Sequence, residues 1–383
     1  MDKWPYRLLA PGPVPVPPAV LKAMSAKVLH HRTPEFEKVL REVWAGLQSV
    51  FATKQSVHII AGTGSAAMEA AVVNLLSPGD QVLVVVSGKF GERWVEMCER
   101  YSLKVHRLDV AWGSAVQLPE LAAALKSHRA VKAVFTQVCE TSTATVHPVQ
   151  KMAQMVHQNS AALFVVDAIT AVGCMPLPMD DWDLDCVIAG SQKAFMIPTG
   201  LSFISLSQRA WQAQAQARLP KYYLDLAGEK KANDRGETHF STPTPLVVGL
   251  GVVLKKIEQR GLNGVIERCQ ALAMATRESC EILGFKTFSA SPSNSVTALT
   301  TPEGVDSAQL RDWLEKERNI TVMGGQDHLK GKIIRVGHMG YILDEDMKAL
   351  IQALNEGLGQ PEGVQKALSV LTHHLKSVEP IFL

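Results

Sequence analysis

Seven short runs rich in apolar residues alternate with stretches of helical periodicity, and this alternation constrains the fold more than any other feature. The runs at 57–61, 81–86, 104–108, 131–137, 162–166, 186–189 and 201–206 read as strands. Between them, 65–76, 90–101, 119–126 and 148–159 read as helices, the first stopped by Ser77-Pro78-Gly79. A near-continuous apolar strand needs cover on both faces, and intervening helices supply it. The expectation is an α/β chain with a mostly parallel, doubly covered sheet. In such sheets ligands bind beyond the carboxyl ends of the strands.

The alternation ends at 208–245, a mixed polar stretch carrying Thr242-Pro243-Thr244-Pro245. One long helix over 246–283 is expected to lead into a small α+β unit, with strands near 296–300 and 332–337 and helices near 307–317 and 345–357. The proline-rich opening, from Leu8 to Pro18, cannot be a helix interior or a central strand and reads as an extended arm. Helices are expected at 19–29 and 34–51, the second opened by Thr33-Pro34-Glu35. The expected organisation is an arm at 1–18 packed on the small unit, a large unit at 19–260 and a C-terminal unit at 261–383.

At 383 residues with 46% apolar content, both units have material for a core. A net charge of +2, with lysine and arginine scattered, points to neither nucleic acid nor an anionic membrane as partner. The six cysteines, at 98, 139, 174, 186, 269 and 280, show no CxxC spacing, which argues against a zinc or iron–sulfur site. Reduced thiols, no bilayer-length apolar run and no apolar signal segment after Met1-Asp2-Lys3-Trp4-Pro5 lead to the expectation of a cytoplasmic protein.

Chemistry-bearing residues gather at the expected carboxyl ends of the strands. Gly190-Ser191-Gln192-Lys193 follows the run ending at Ala189, and Asp167 closes the run Leu163-Phe164-Val165-Val166. Such a pair is what a pyridoxal-phosphate enzyme requires: an amine to form a Schiff base with an aldehyde, and a carboxylate to keep the pyridine nitrogen protonated. Taken singly, the aspartate suits a helix cap and the lysine a solvated charge.

Gly62-Thr63-Gly64-Ser65-Ala66-Ala67 lies between a strand and a helix, where free N–H groups and the helix dipole favour an anion. It also matches the GxGxxA dinucleotide pattern, which needs an acid at the end of the next strand. That strand runs out at Val86-Ser87-Gly88-Lys89 without one, and Asp80 lies at its other end, so a phosphate monoester is the better match.

Three further positions have a bland reading beside a functional one. Phe90 either stacks on a flat ring or caps the core. In Glu140-Thr141-Ser142-Thr143-Ala144, Thr141 can offer a hydroxyl and Glu140 can organise the loop, or the segment is a Ser/Thr turn. Gln192 can donate to a phosphate oxygen, and Arg335 near the end of Ile333-Ile334-Arg335-Val336-Gly337 can fork a carboxylate or join an inter-unit ion pair.

In this order, and with Ala10-Pro11-Gly12-Pro13, His30-His31-Arg32-Thr33-Pro34-Glu35-Phe36, Gly88-Lys89-Phe90-Gly91-Glu92-Arg93-Trp94 and Gly324-Gly325-Gln326-Asp327-His328-Leu329-Lys330-Gly331-Lys332, the chain resembles the class V aminotransferases. These are fold type I pyridoxal-phosphate enzymes. The resemblance spans essentially the whole chain. It is to the alanine/serine–glyoxylate branch, and especially to cyanobacterial proteins labelled the small subunit of soluble hydrogenase.

The resemblance implies a seven-stranded large sheet, pyridoxal 5′-phosphate as cofactor, and a homodimer with shared active sites. It gives Lys193 the Schiff base and the Cα proton, Asp167 the pyridinium nitrogen, Phe90 the ring face and Thr141 the ring oxygen region. Thr63, Gly64 and Gln192 would hold the phosphate, with His239 and Thr242 reaching it from the neighbouring subunit. Arg335 would bind the substrate carboxylate and Gly12 would line the substrate mouth. The implied reaction is ping-pong transfer of an amino group from alanine or serine to glyoxylate or pyruvate.

Two departures from the family pattern are local. Ala144 stands where relatives usually carry Gly, and Phe240-Ser241-Thr242-Pro243-Thr244-Pro245 replaces a Phe-Thr-Pro-Pro pattern, leaving the partner-subunit contact open by a residue or two. A cysteine desulfurase needs a persulfide cysteine shortly before the arginine, and none follows Cys280. A phosphonate-specific aminotransferase and a non-catalytic partner of a hydrogenase complex remain as alternatives; the second lacks the clustered cysteines of hydrogenase catalysis.

Overall fold

The computed structural model describes residues 4–359 and 363–382; residues 1–3, 360–362 and 383, which include the start of the arm, lie outside the described residues. The seven expected strands form one sheet: β1 (Val57–Ala61), β2 (Gln81–Val86), β3 (Lys104–Asp109), β4 (Val131–Gln137), β5 (Leu163–Asp167), β6 (Cys186–Gly190) and β7 (Leu201–Leu206). Their spatial order is β1-β7-β6-β5-β4-β2-β3. All pairings are parallel except the two made by β7. The loop from Gly190 to Leu201 is too short for a crossover helix, so β7 must return antiparallel beside β6.

Both faces of the sheet are apolar because side chains alternate across it. Leu83 and Val85 join one core with Phe36, Leu121, Met152 and Leu250, from helices Pro34–Phe51, Leu118–Ser127, Val149–Asn159 and Thr244–Arg260. Val82, Val84 and Val86 join the other with Met68 and Trp94, from helices Gly64–Leu75 and Lys89–Arg100. Helix Pro34–Phe51 starts as expected, with the Thr33 hydroxyl accepting from the Phe36 N–H at 3.3 Å. The strand order reverses between β4 and β2, which makes the crevice beyond their carboxyl ends the favoured ligand position.

The expected long helix over 246–283 is two helices, Thr244–Arg260 and Leu262–Ile282. Gly261 divides them at φ 76° and ψ 139°, a conformation that no helix interior accommodates. The first short helix spans Pro18–Met24, and 208–245 contains helices Gln208–Gln214 and Leu226–Asn233. Beyond them an antiparallel four-stranded sheet pairs Lys286–Thr287, Val296–Thr300, Ile333–Gly337 and Met323–Gly324 in that order. Helices Ser307–Arg318, Asp344–Gly357 and Val364–Leu375 pack on it, and the last was not anticipated.

The arm ties this second sheet to the first. Arg7–Leu8 pairs in parallel with Ile320–Thr321, Arg7 forms an ion pair with Asp346 at 3.1 Å, and the Leu9 carbonyl accepts from Gly337 N at 2.8 Å. Pro11 and Gly12 then lie against Lys193 of the large sheet. Among the described residues no helix is long and apolar enough to cross a membrane.

Candidate active site

Lys193 is placed by a pinned loop. The Ser191 hydroxyl donates to the Pro198 carbonyl at 2.8 Å and accepts from Leu201 N at 3.2 Å, fixing the turn between β6 and β7. Lys193 is only 9% exposed, and its amine donates to the Pro11 carbonyl at 2.5 Å. Burial penalises its ammonium form and lowers the amine to about 8; Arg335 adds to this, while Asp167 works against it.

Gly12 has φ 123°, and a Cβ built there would collide with the Lys193 amine and its adjoining carbons. A Gly12→Ala variant is therefore expected to lose about 1–3 kcal/mol of stability from backbone strain and to turn over more slowly, because the amine is pushed aside. Denaturant unfolding and a turnover assay check this; wild-type values in both would contradict the contact.

Asp167 ends β5, directly opposite Gln137 on β4 and Ile188 on β6. It is 6% exposed, and its carboxylate accepts from Ile169 N at 2.9 Å. Burial raises it to about 7, offset in part by that hydrogen bond and by the charges of Arg93 and Lys193. Lys193 and Asp167 thus share one low-dielectric crevice and feel each other's charge.

Across the reversal of strand order, Glu140 acts as the organiser of the loops. Its buried carboxylate accepts from the N–H groups of Phe90 at 3.0 Å, Gly91 at 3.1 Å and Ser142 at 3.2 Å, and from the Ser142 hydroxyl at 2.5 Å. Burial still holds it above the usual carboxylate range. The effect is to fix Phe90, after β2, relative to Thr141, after β4. Thr141 is buried, shares a 2.9 Å hydrogen bond with the Thr170 hydroxyl, and gives its carbonyl to Arg335 Nη1 at 3.0 Å.

Arg335 reaches the site from strand Ile333–Gly337, its Nε donating to the Gly324 carbonyl at 3.0 Å. It is 7% exposed, and burial lowers its affinity for a proton. Two neutral carbonyls hold the fork, and no carboxylate pairs with it among the described residues. A buried guanidinium so held is poised for an anionic ligand.

The candidate phosphate loop has unused capacity. Thr63 is the N-cap of helix Gly64–Leu75, yet its hydroxyl makes no capping bond. Gly64 lies so close to Ile169 that a Cβ would approach its Cδ1 to 2.5 Å. Gln192 Oε1 is buried without a hydrogen-bond partner, and so are both polar atoms of the Gln137 side chain, which the sequence reading passed over. Buried amide atoms are normally paired, so these orphaned groups leave polar capacity open at the strand ends.

His239 and Thr242 stand apart in the single chain. His239 N donates to Glu229 at 2.9 Å, its carbonyl accepts from Arg32 at 3.5 Å, and its ring contacts Phe240. Thr242 lines a small cleft with Ala61 and Tyr223. Among the described residues no hydrogen bond links either residue to Lys193, Asp167 or Gln192.

A buried amine of lowered basicity, a buried carboxylate at an adjacent strand end, spare donors at a helix N-terminus and an orphaned amide fit pyridoxal phosphate. No group of three or more His, Cys, Asp or Glu side chains able to hold a metal occurs among the described residues.

The sequence model of the family described as "Aminotransferase class-V" matches residues 8–350. The protein named "Soluble hydrogenase, small subunit" from Synechococcus sp. is 38% identical over 357 residues, 92% of this chain and 93% of that one. The serine–glyoxylate aminotransferase of Methylorubrum extorquens is 32% identical over 87% of this chain and 86% of its own. The crystal structure of an alanine–glyoxylate aminotransferase from Nostoc sp. superposes with a TM-score of 0.88 at 33% identity, covering 93% of this chain and 96% of that one. The large mostly parallel sheet, the strand-end lysine and aspartate, and these likenesses converge: the chain belongs to the class V aminotransferases.

Proposed function

We propose that the protein binds pyridoxal 5′-phosphate and transfers the amino group of alanine or serine to glyoxylate or pyruvate. The observation that carries this reading is the buried Lys193 just beyond β6, its amine donating to the Pro11 carbonyl at 2.5 Å, with buried Asp167 at the end of the adjacent β5. Gln192 precedes the lysine in the same loop.

When bound, pyridoxal phosphate supplies an aldehyde that takes up an amino group and a ring that accepts electrons from Cα. The rest is done by the chain. Lys193 would hold the cofactor's aldehyde covalently; once the donor's amine displaced it, the freed lysine amine would take up the Cα proton and return it elsewhere. Asp167 holds a proton on the pyridine nitrogen. Phe90 covers the ring, Thr141 bonds beside it, and Thr63, Gly64 and Gln192 take the phosphate. Arg335 orients the carboxylate of the donor and then of the acceptor. One fork serves both because the first keto acid leaves before the second enters.

The site is completed in a homodimer, His239 and Thr242 of one subunit facing the phosphate of the other. The exposure of Tyr222 at 81% and Tyr223 at 48%, both against Phe240, supports an interface at this edge of the sheet. The arm at 1–18, the large unit at 19–260 and the C-terminal unit at 261–383 are part of the same proposal. The arm's ladder with Ile320–Thr321 and the separate buried core around Leu310, Ile334 and Leu354 support them.

Incubation with L-serine or L-alanine and glyoxylate is expected to yield glycine together with the keto acid of the donor. Activity with an aminophosphonate but neither amino acid would overturn the substrate assignment. The lowered amine also sets a pH dependence. Only neutral Lys193 can capture the aldehyde, and its fraction grows as pH rises. Cofactor uptake by the apoprotein should therefore speed up about tenfold per pH unit below the lysine's pKa, and level off above pH about 8. Stopped-flow absorbance checks this; a rate still climbing at pH 10, as for an ordinary lysine, would contradict it.

A further inference from the structure

Arg93 is a cation at the site to which the reading above assigns no role. It sits on the opening turns of helix Lys89–Arg100, three residues beyond Phe90. Its guanidinium carbon lies 4.8 Å from the centre of the Phe90 ring, and Nη1 donates to the Ser65 hydroxyl at 3.4 Å. Ser65 belongs to the first turn of helix Gly64–Leu75, whose N-cap is Thr63 with its unused hydroxyl.

Its charge is not neutralised. Lys89, one turn earlier, is paired with Glu92 at 2.7 Å and Asp327 at 3.0 Å, whereas among the described residues no carboxylate pairs with Arg93. Arg93 is exposed, and its positive charge contributes to lowering the pKa of both Asp167 and Lys193. The fork is anchored to the helix N-terminus, while the substrate-carboxylate position belongs to Arg335 with Thr141 and Gly324.

We propose that Arg93 is a phosphate-binding residue of the cofactor site, its guanidinium held over Phe90 and closing the anion loop formed by Thr63, Gly64 and Ser65. The proposal rests on the pyridoxal-phosphate reading. It predicts that this arginine recognises the phosphate group and not the ring.

Binding of pyridoxal 5′-phosphate and of pyridoxal, which lacks the phosphate, to the apoprotein separates the two. Titrations followed by absorbance and tryptophan fluorescence would compare wild type with Arg93→Gln and Arg93→Lys. Loss of a charge-assisted contact should weaken pyridoxal phosphate binding about ten- to a hundredfold in Arg93→Gln. Pyridoxal should be barely affected, and Arg93→Lys should fall between. Inorganic phosphate should compete with pyridoxal phosphate at lower concentration in wild type than in Arg93→Gln.

Equal weakening of both ligands would overturn the proposal, since Arg93 would then act by holding the Phe90 ring. Unchanged affinity for both would overturn it too. Failure of the wild-type protein to bind either ligand is a different result, which removes the cofactor reading itself and this proposal with it. Circular dichroism verifies that the variants fold, and the partial rescue by Arg93→Lys is a result that loss of fold does not give.

Discussion

A Lys193→Ala variant is expected to keep its fold and lose turnover by about a hundred- to ten-thousandfold or more, the scale of a removed general acid–base group. Loss of the covalent attachment adds to this. The fold should survive because, among the described residues, the side chain hydrogen-bonds only to the Pro11 carbonyl. Leaving that carbonyl unpaired costs about 1–3 kcal/mol, and removing a buried amine works in the opposite direction. The visible absorbance of the bound cofactor should shift or disappear. A Lys193→Arg variant, charged but not nucleophilic, should be equally inactive, which separates chemistry from charge. Wild-type turnover in either variant would remove Lys193 from the reaction.

Asp167→Asn is the second large effect. The substitution nearly preserves shape, and the asparagine oxygen can still accept from Ile169 N, so folding should be retained. What disappears is the negative charge that, in the proposed function, would face the ring nitrogen. Removing one partner of a buried pair costs about 3–5 kcal/mol, or roughly a hundred- to a few thousandfold in rate. The loss should appear in kcat and in cofactor affinity together. If Asp167 served only as a cap for the turn at Ile169, the asparagine variant would keep its kcat and lose only stability. Steady-state kinetics beside a thermal melt distinguish the two.

Most of the strands were legible because they are apolar on both faces and bounded by turn residues, as with Val82–Val86 between Gly79 and Gly88; the edge strand Lys104–Asp109 is more polar. Their order was not, since pairing partners such as Val57–Ala61 and Leu201–Leu206 are distant in sequence. The break at Gly261 was missed because a single glycine inside a periodic stretch is compatible with either outcome. Here its backbone is extended with positive φ, which forces two helices.

At the site, Lys193, Asp167 and Arg335 could be found from their positions after apolar runs, and the order of the motifs carried the resemblance. What sequence cannot give is contact across loops. The Pro11 carbonyl meets Lys193 from 182 residues away, and Glu140 gathers donors from Phe90 and Gly91 about fifty residues upstream. Arg93 stood within a recognised stretch, but its contact with Ser65 appears only when two helices are brought side by side. Gln137 gave no local signal at all; its significance is that a buried amide at a strand end lacks any partner.

The most direct test of the central claim is the absorbance spectrum of the purified protein, recorded before and after adding L-serine or L-alanine, and again after glyoxylate. The expected result is a visible band that fades with the amino acid and returns with glyoxylate, which reports both halves of the transfer on one sample. A band indifferent to both amino acids would leave the cofactor in place and contradict the proposed donors. No band, even after pyridoxal 5′-phosphate is supplied, would contradict the account at its root.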